Sequence, residues 1–343
     1  MHIFVGIMYK NIKQMRNTLI YVFVIAFLFS CKNDDKVKDA RIPSDPTLEQ
    51  LNKLVETKPN DAKILYERAK YFYNNEKYKD AIKDMKQVMK IDSVNPVYFH
   101  TLADIYLDDA DSRYAINTME KVVSLYPERI PSLLKLSEFY FIVKNYDKSL
   151  STINSILYLS PDNPEAYFML GVNFKEMNQL AKAKNSFLTV VENNPEHIDA
   201  WLQLGKLAEE QKDSTAETYY KNAILIDEDN VEAMHYLAYY YQNNGKLQKA
   251  LDTYKKIVLI DPSYTASYLN SGIIYLKQDS LQKAFDNFNI MVNVDKSNPK
   301  GYYFRGMTHY LGGNNEAAKP DFEQALKLNP DYEEAKQMLG KVE

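Results

Sequence analysis

One unit of thirty-four residues recurs along most of this chain and constrains its fold more than any other feature. It is clearest from Pro164 to His197. Apolar and small residues in this unit follow the spacing of one helix face in each half. They are Tyr167, Leu170, Gly171 and Phe174 in the first half, and Ala183, Phe187 and Val190 in the second. Asn194–Pro195 follows, and proline disfavours helical backbone in the residue before it. Each unit is therefore predicted to be two helices joined by a turn.

Two small positions mark every unit. In the first helix they are Ala69, Ala103, Ser137, Gly171, Gly205, Ala238, Gly272 and Gly306, and in the second Ala81, Ala115, Ser149, Ala183, Ala216, Ala250, Ala284 and Ala318. Successive members follow one another at the full repeat interval, except for one step in each series that is a single position shorter. We interpret the small residues as the places where the paired helices approach closely. The short step predicts a one-residue deletion in the Gln211–Ser214 turn, where no helix would be disturbed.

The unit resembles the tetratricopeptide repeat, a helix–turn–helix family with this period and these small residues. The residues that match its pattern best are Trp201, Leu204, Gly205 and Ala208 in one unit, and Tyr241, Ala250, Tyr254 and Pro262 in the next. The resemblance covers eight units in residues 62–332 and implies an all-α, right-handed solenoid. Arg68 and Arg305 stand where the family usually has leucine, so the first and eighth units are expected to be weaker matches.

Two short helices are predicted outside the repeats. Thr47–Thr57, within an amino-terminal segment 47–61, and Glu333–Val342, within the carboxy-terminal segment 333–343, each carry apolar residues on one side. A terminal unit of a solenoid leaves one apolar face without a neighbour. We therefore expect both helices to act as caps.

The amino terminus has the order of a signal peptide. Residues 1–30 contain three basic residues and no acid, followed by the apolar run Leu19–Ser30, which is too short to span a bilayer comfortably. Cys31, the only cysteine, comes next. The segment Leu28–Cys31 resembles the lipobox of bacterial lipoproteins, which predicts lipidation of Cys31. The alternative is a buried free thiol at the end of a short anchor helix.

Residues 31–46 are predicted to form a flexible tether. The acidic pair Asp34–Asp35, close behind Cys31, resembles the signal with which Bacteroidetes place lipoproteins on the cell surface. A charged, solvated tether explains the same residues equally well. The predicted location is the cell envelope, by a lipid anchor in the outer membrane, facing either the surface or the periplasm.

The charge of the chain disfavours nucleic acid as a partner. The full sequence has 42 basic and 46 acidic residues, a net charge of −4. Removal of residues 1–30 would leave 39 and 46, a net charge of about −7, without the basic surface that nucleic-acid binding requires. A single cysteine also excludes an internal disulfide, so helix packing must supply the stability.

No catalytic motif is visible in the sequence. It contains no phosphate-binding loop, zinc-protease motif, nucleophile elbow or paired-cysteine metal site. The histidines of the repeats lie in different units without ligand spacing, so packing or surface roles are expected for them; they are His100, His197, His235 and His309. We predict a protein that is not an enzyme and has no cofactor or metal.

A row of side chains on the first helices is the predicted binding site. The family resemblance implies that first helices line a concave groove. Toward the carboxy terminus this row is apolar and aromatic: Tyr239, Leu269, Ile273, Leu276, Tyr303, Met307 and Tyr310, with Tyr236 and Phe304 beside it. These nine residues are called the groove row below. The middle is charged, with Lys175, Glu176, Lys206, Glu209 and Glu210. Apolar surface of this kind usually binds a partner, although each side chain has gap-filling between helices as its alternative.

The predicted function is a membrane-anchored scaffold or adaptor that binds protein or peptide partners in the groove. Clamping of a peptide's terminal carboxylate is set aside, because the corresponding rows lack the lysine, asparagine and arginine set that this mode requires. Helical or extended apolar segments fit better. The alternative is a glycan-binding surface lipoprotein in which the tyrosine and phenylalanine faces stack on sugar rings.

Overall fold

The computed structural model describes residues 46–342 of this 343-residue chain. Eighteen α-helices and no β-strand occur in this range. The predicted signal peptide, the lipidation site Cys31 and the tether up to residue 45 lie outside it. No helix in the described range is both long and apolar enough to cross a membrane.

The chain divides into two units, residues 1–58 and 59–343. The described part of the first is helix α1 (Pro46–Thr57), which forms where the sequence predicts an amino-terminal helix and has no buried residue. Pro46 occupies its first position, where the missing N–H costs no hydrogen bond.

The second unit consists of eight helix pairs and one final helix. The first four pairs are α2 (Ala62–Asn74) with α3 (Tyr78–Ile91), α4 (Pro96–Asp108) with α5 (Ser112–Leu125), α6 (Ile130–Ile142) with α7 (Tyr146–Leu159), and α8 (Pro164–Glu176) with α9 (Leu180–Asn193). The others are α10 (Ile198–Glu210) with α11 (Ala216–Ile226), α12 (Val231–Asn243) with α13 (Leu247–Ile260), α14 (Thr265–Lys277) with α15 (Leu281–Val294), and α16 (Pro299–Leu311) with α17 (Asn315–Leu328). Helix α18 (Glu333–Val342) follows.

The pairs stack in sequence order. From α2 to α18 each helix packs against the next one in the chain, and first helices of adjacent pairs also meet, as α4 with α6 and α6 with α8. Contacts restricted to neighbouring units define a solenoid. The predicted all-α solenoid of eight helix–turn–helix units is therefore confirmed.

The turn inside each unit has one residue in left-handed backbone conformation, at φ between 53° and 77°. These residues are Glu76, Ala110, Lys144, Asn178, Lys212, Gly245, Asp279 and Gly313. The residue after each donates its N–H to a carbonyl five positions earlier, as in Gln179 N to Phe174 O at 2.7 Å, which closes the end of the first helix. Lys212 follows Asn178 at the full repeat interval, so the turn of the short unit is intact.

The one-residue deletion falls after Asp213, at the start of the second helix. Ala216 N bonds to Asp213 O, three residues back, at 3.2 Å. At the same place in the preceding unit, Ala183 N bonds to Gln179 O, four residues back, at 3.0 Å. As a result α11 begins only at Ala216 and has 11 residues, where α9 has 14. This corrects the expectation that the deletion would disturb no helix.

Buried arginine–aspartate pairs replace leucine in the first and last units. Arg68 binds the 2% exposed Asp84 through two hydrogen bonds of 2.7 and 2.8 Å. Arg305 binds the 5% exposed Asp321 at 2.9 and 2.6 Å. Both pairs span sixteen residues and join the two helices of one unit. In both units the arginine that stands in place of leucine is thus paired with an aspartate of the second helix.

Candidate functional site

The nine predicted groove-row residues lie on the first helices of the last three units. Tyr236 and Tyr239 are on α12, Leu269, Ile273 and Leu276 on α14, and Tyr303, Phe304, Met307 and Tyr310 on α16. Eight of them are partly buried, whereas Tyr239 is 44% exposed. Burial therefore divides the row into side chains held by packing and one that faces solvent.

Two members fill the space between successive units. The ring of Tyr236 stacks on that of Tyr220 at 5.8 Å between centroids, with an interplanar angle of 16°. Phe304 stacks on Phe288 in the same way, at 5.2 Å and 20°. Tyr220 and Phe288 are fully buried residues of the preceding second helices α11 and α15. Aromatic pairs of this kind stabilise the junction.

Three members on α16 pack at the carboxy-terminal end. Tyr303, Met307 and Tyr310 lie against a cluster formed by Ala318, Phe322 and Met338, to which α17 and α18 contribute. The ring of Tyr303 is 5.0 Å from that of Tyr332, and burial raises the pKa of Tyr332 to about 12. Helix α18 thus covers the last unit, as a cap does, and uses part of the predicted row for this purpose.

Tyr239 belongs to a group of tyrosines around His235. The two rings are nearly parallel, at 13° and 6.4 Å. The rings of Tyr236, Tyr254 and Tyr264 also lie within 6.2 Å of the imidazole. Its Nδ1 is buried without a hydrogen-bond partner among the described residues, and burial lowers the pKa of His235. Burial thus favours the neutral form of the imidazole, whose ring packs beside the exposed ring of Tyr239.

The charged middle of the row is largely paired within the protein. Lys175 Nζ donates to Gln203 Oε1 at 3.0 Å, and Glu209 accepts from the Tyr220 hydroxyl at 3.0 Å. Lys206 Nζ lies 4.0 Å from the ring centroid of Tyr236, and burial lowers the pKa of this lysine. A cation–π contact thus joins the polar middle to the aromatic end, which the sequence pattern alone did not indicate.

The amino-terminal part of the same face contains one unpaired carboxylate. Lys135 Nζ binds Asp104 at 2.7 Å and links α6 to α4. Glu138, one helix turn from Lys135, makes no hydrogen bond or ion pair with any residue in 46–342. Burial, reinforced by the charge of Asp104, raises its pKa to about 7, although Lys135 acts in the opposite direction.

The repeat histidines have packing roles. His197 Nδ1 accepts from Ala200 N at 3.2 Å and so caps α10. His100 bonds to Ser132 Oγ at 2.9 Å, and burial, with Lys135 and Arg129 nearby, lowers its pKa to about 4. His309 packs on Phe285 with centroids 5.0 Å apart. In the described part of the chain no three His, Cys, Asp or Glu side chains are placed to hold a metal ion.

Family models described as tetratricopeptide repeat match three stretches of the chain, residues 168–230, 219–252 and 299–332. The last stretch corresponds to the unit formed by α16 and α17. The other two overlap and lie within the fourth to sixth units.

Among curated proteins, Protein O-mannosyl-transferase TMTC1 of Homo sapiens is 26% identical over 174 residues, which are 49% of this chain and 20% of that protein. The Peroxisomal targeting signal receptor of Saccharomyces cerevisiae is 32% identical over 85 residues, 24% of this chain and 14% of that protein. The chain thus spans a fifth or less of the length of these relatives. A solved tetratricopeptide repeat protein from Parabacteroides merdae is 18% identical and covers 71% of this chain and 97% of its own, with a TM-score of 0.49.

Proposed function

Because the chain belongs to the tetratricopeptide repeat family, whose members mediate protein–protein interactions, we propose that it is a non-enzymatic scaffold for protein or peptide partners. The groove row is the proposed contact surface. The observation that carries this proposal is the 44% exposed ring of Tyr239 on the first helix α12. The next first helix, α14, carries the partly buried aliphatic residues of the row. Exposed aromatic side chains with apolar neighbours are typical binding anchors.

The available part of the row is narrower than its nine residues. Tyr236 and Phe304 stack on preceding units, and Tyr303, Met307 and Tyr310 pack at the capped end. The partner surface is therefore centred on Tyr239 with Leu269, Ile273 and Leu276 of α14. An apolar segment in helical or extended form suits such a surface.

The scaffold is proposed to act at a membrane of the bacterial cell envelope. Support comes from the sequence of the amino terminus, in which basic, apolar and cysteine elements occur in the order of a lipoprotein signal. Metabolic labelling with a fatty-acid analogue should mark the wild type and leave Cys31→Ser unmarked. Equal labelling of both proteins would contradict the proposed lipid anchor. It would not bear on the proposed partner surface.

Crosslinking in native membranes tests the partner surface. Wild type is compared with a Tyr239→Ala, Ile273→Ala double variant and with Tyr158→Ala. Tyr158 is an 88% exposed tyrosine on the second helix α7, outside the row, and serves as the matched control. Partners captured by wild type and the control but lost with the double variant would support the proposal. Capture by all three proteins would contradict a role for the row.

The same experiment bears on the alternative of a glycan site in the row. If none of the three proteins captures a protein partner, the scaffold proposal is wrong and the row must be tested against sugars. Circular dichroism and melting curves of each variant establish that any loss of capture does not come from unfolding.

A further inference from the structure

A cavity of about 320 Å³ opens between the second helix of the sixth unit and the helices of the seventh. Helix α13 contributes Asp252 and Lys255, α14 contributes Ser271 and its neighbours, and α15 contributes Asn287. None of the nine groove-row residues lines it. The cavity is therefore a separate feature from the proposed partner surface.

The cavity exists because one repeat position has lost its side-chain volume. The residue just before the small position of the first helix is leucine in five units, namely Leu102, Leu136, Leu170, Leu204 and Leu237, and arginine in two, Arg68 and Arg305. In the seventh unit the same position is Ser271, which is 8% exposed. Serine cannot fill the space that leucine or arginine fills at this position elsewhere, so the volume beside Ser271 stays open.

At the junction between the seventh and eighth units, Arg305 fills the space that corresponds to this cavity. There the Arg305 guanidinium binds Asp321 and also donates from Nη1 to Asn289 Oδ1 at 2.8 Å. Two residues that line the cavity occupy equivalent positions one unit earlier. Asn287 is equivalent to Asp321, and Lys255 is equivalent to Asn289. The cavity thus keeps a polar wall at the place where a polar side chain is bound one unit later.

The lining offers both hydrogen-bond donors and acceptors with no net charge. The hydroxyls of Ser271 and Tyr275 and the ammonium of Lys255 make no hydrogen bond with residues of the described chain. Asn287 uses its amide nitrogen to donate to Lys283 O at 2.8 Å, which leaves its carbonyl oxygen as an acceptor. Lys255 and Asp252 contribute one charge of each sign, and Asp252 Oδ1 accepts from Gln248 Nε2 at 2.9 Å, which leaves its second carboxylate oxygen as an acceptor. A neutral ligand with many hydroxyl groups matches this set, since each hydroxyl both donates and accepts.

Two aromatic rings complete the wall. Tyr268 and Tyr275 are seven residues apart on α14, and both line the cavity. The Tyr268 hydroxyl donates to Pro262 O at 3.2 Å, which restrains the position of that ring. The volume is at the lower end of the range for small-molecule pockets, about 300–1,000 Å³. A cavity of this volume accommodates one six-membered ring.

We propose that this cavity binds a single pyranose ring of a neutral carbohydrate, with the ring beside Tyr268 and Tyr275 and its hydroxyls bonded to Ser271, Asn287 and Asp252. The site is independent of the groove row and of the scaffold function.

Saturation-transfer and chemical-shift NMR with methyl glucoside, methyl galactoside, methyl mannoside and N-acetylglucosamine test the proposal. Wild type is expected to bind at least one of them with a dissociation constant of about 1 mM, which corresponds to about −4 kcal/mol. Ser271→Leu restores the residue of five other units and fills the cavity. This variant should weaken binding about tenfold or more, while its melting temperature stays the same or rises.

Two further variants test whether the sugar binds in the cavity or in the groove row. Asn287→Ala should weaken binding, since it removes one acceptor without closing the cavity. Tyr239→Ala alters the groove row and should bind the sugar as wild type does. Undiminished sugar binding by Ser271→Leu would overturn the proposal, and so would the absence of binding of all four sugars to wild type. Loss of binding with Tyr239→Ala alone would place the sugar in the groove row and would equally overturn it.

Discussion

Gly171 of α8 lies against the ring of Phe187 in α9, so closely that a Cβ atom added to the glycine would come within 2.5 Å of Cε1 of that ring. The phenylalanine is fully buried. The close approach of the paired helices therefore places a glycine backbone on an aromatic face. Ala183, the small residue of the second helix, is also buried, but the ring is what a larger residue at Gly171 would meet.

The same two positions vary together along the chain. The four units with glycine have an aromatic residue opposite, in the pairs Gly171–Phe187, Gly205–Tyr220, Gly272–Phe288 and Gly306–Phe322. Three units with alanine or serine have an aliphatic residue or methionine at the matching position, in the pairs Ala69–Met85, Ala103–Met119 and Ser137–Ile153. Ala238 with Tyr254 is the exception. In the other seven units the combined volume of the pair is thus nearly conserved, as close packing requires.

Gly171→Ala is expected to lower the free energy of unfolding by about 1–3 kcal/mol, because the added methyl group overpacks the contact with Phe187. Gly171→Leu should lie at or above the upper end of that range. Combining Gly171→Ala with Phe187→Met, the pairing of the second unit, should cost less than the sum of the two single changes. Urea denaturation of wild type, Gly171→Ala, Phe187→Met and the double variant measures this coupling. Additive costs would mean that the two residues do not share one packing site.

Arg305→Leu is expected to destabilise the protein by about 3–5 kcal/mol, even though leucine is the usual residue at this position. The reason is that it leaves the buried carboxylate of Asp321 without its partner. Arg305→Leu combined with Asp321→Thr, which reproduces the Leu102 and Thr118 pairing of the second unit, should recover most of the loss. Thermal unfolding of the single and the double variant measures both effects. A single variant as stable as wild type would show that the ion pair contributes little.

Glu138→Gln is expected to stabilise the protein at neutral and alkaline pH. Burial raises the Glu138 pKa from 4.5 to about 7, so the unfolded chain releases this proton at lower pH than the folded protein does. The folded state of wild type is therefore favoured below pH 4.5 and loses that advantage as the pH rises through 7. Urea denaturation across this pH range should show a difference in stability between variant and wild type. The difference should be absent at low pH and should increase as the pH rises. A difference independent of pH would contradict the assignment.

Gly245→Ala is expected to cost about 1 kcal/mol, although nothing lies within 4 Å of the added Cβ atom. The cost comes from the left-handed backbone at φ +70°, which disfavours L-residues by about 1–2 kcal/mol, and the reduced freedom of the unfolded chain offsets part of it. Gly340→Ala is the control, since Gly340 also has open space around it but lies in α18. Melting temperatures should fall for the first and hold or rise for the second. Equal changes in melting temperature for the two variants would show that backbone strain is not the cause of the destabilisation.

The candidate site was predictable only in part. The sequence spacing places all nine groove-row residues on first helices, as the structure does. It does not separate Tyr239, which faces solvent, from Tyr236 and Phe304, which stack on the preceding units, or from Tyr303, which packs at the capped end. Exposure depends on which neighbours reach a side chain, and those neighbours come from other units of the solenoid.

The sequence by itself determined the helices, their number and their order, because each follows from a short-range pattern that the chain repeats at a nearly constant interval. Helix pairing within a unit is also local, since Gly171 and Phe187 are only sixteen residues apart. Only the tertiary structure decided how the space between units is filled. Arg305 reaches Asn289 of the preceding unit, while Ser271 at the same repeat position leaves a cavity beside Lys255. A repeat pattern describes the average unit, whereas packing at each junction is set by the volumes and charges of the particular side chains that meet there.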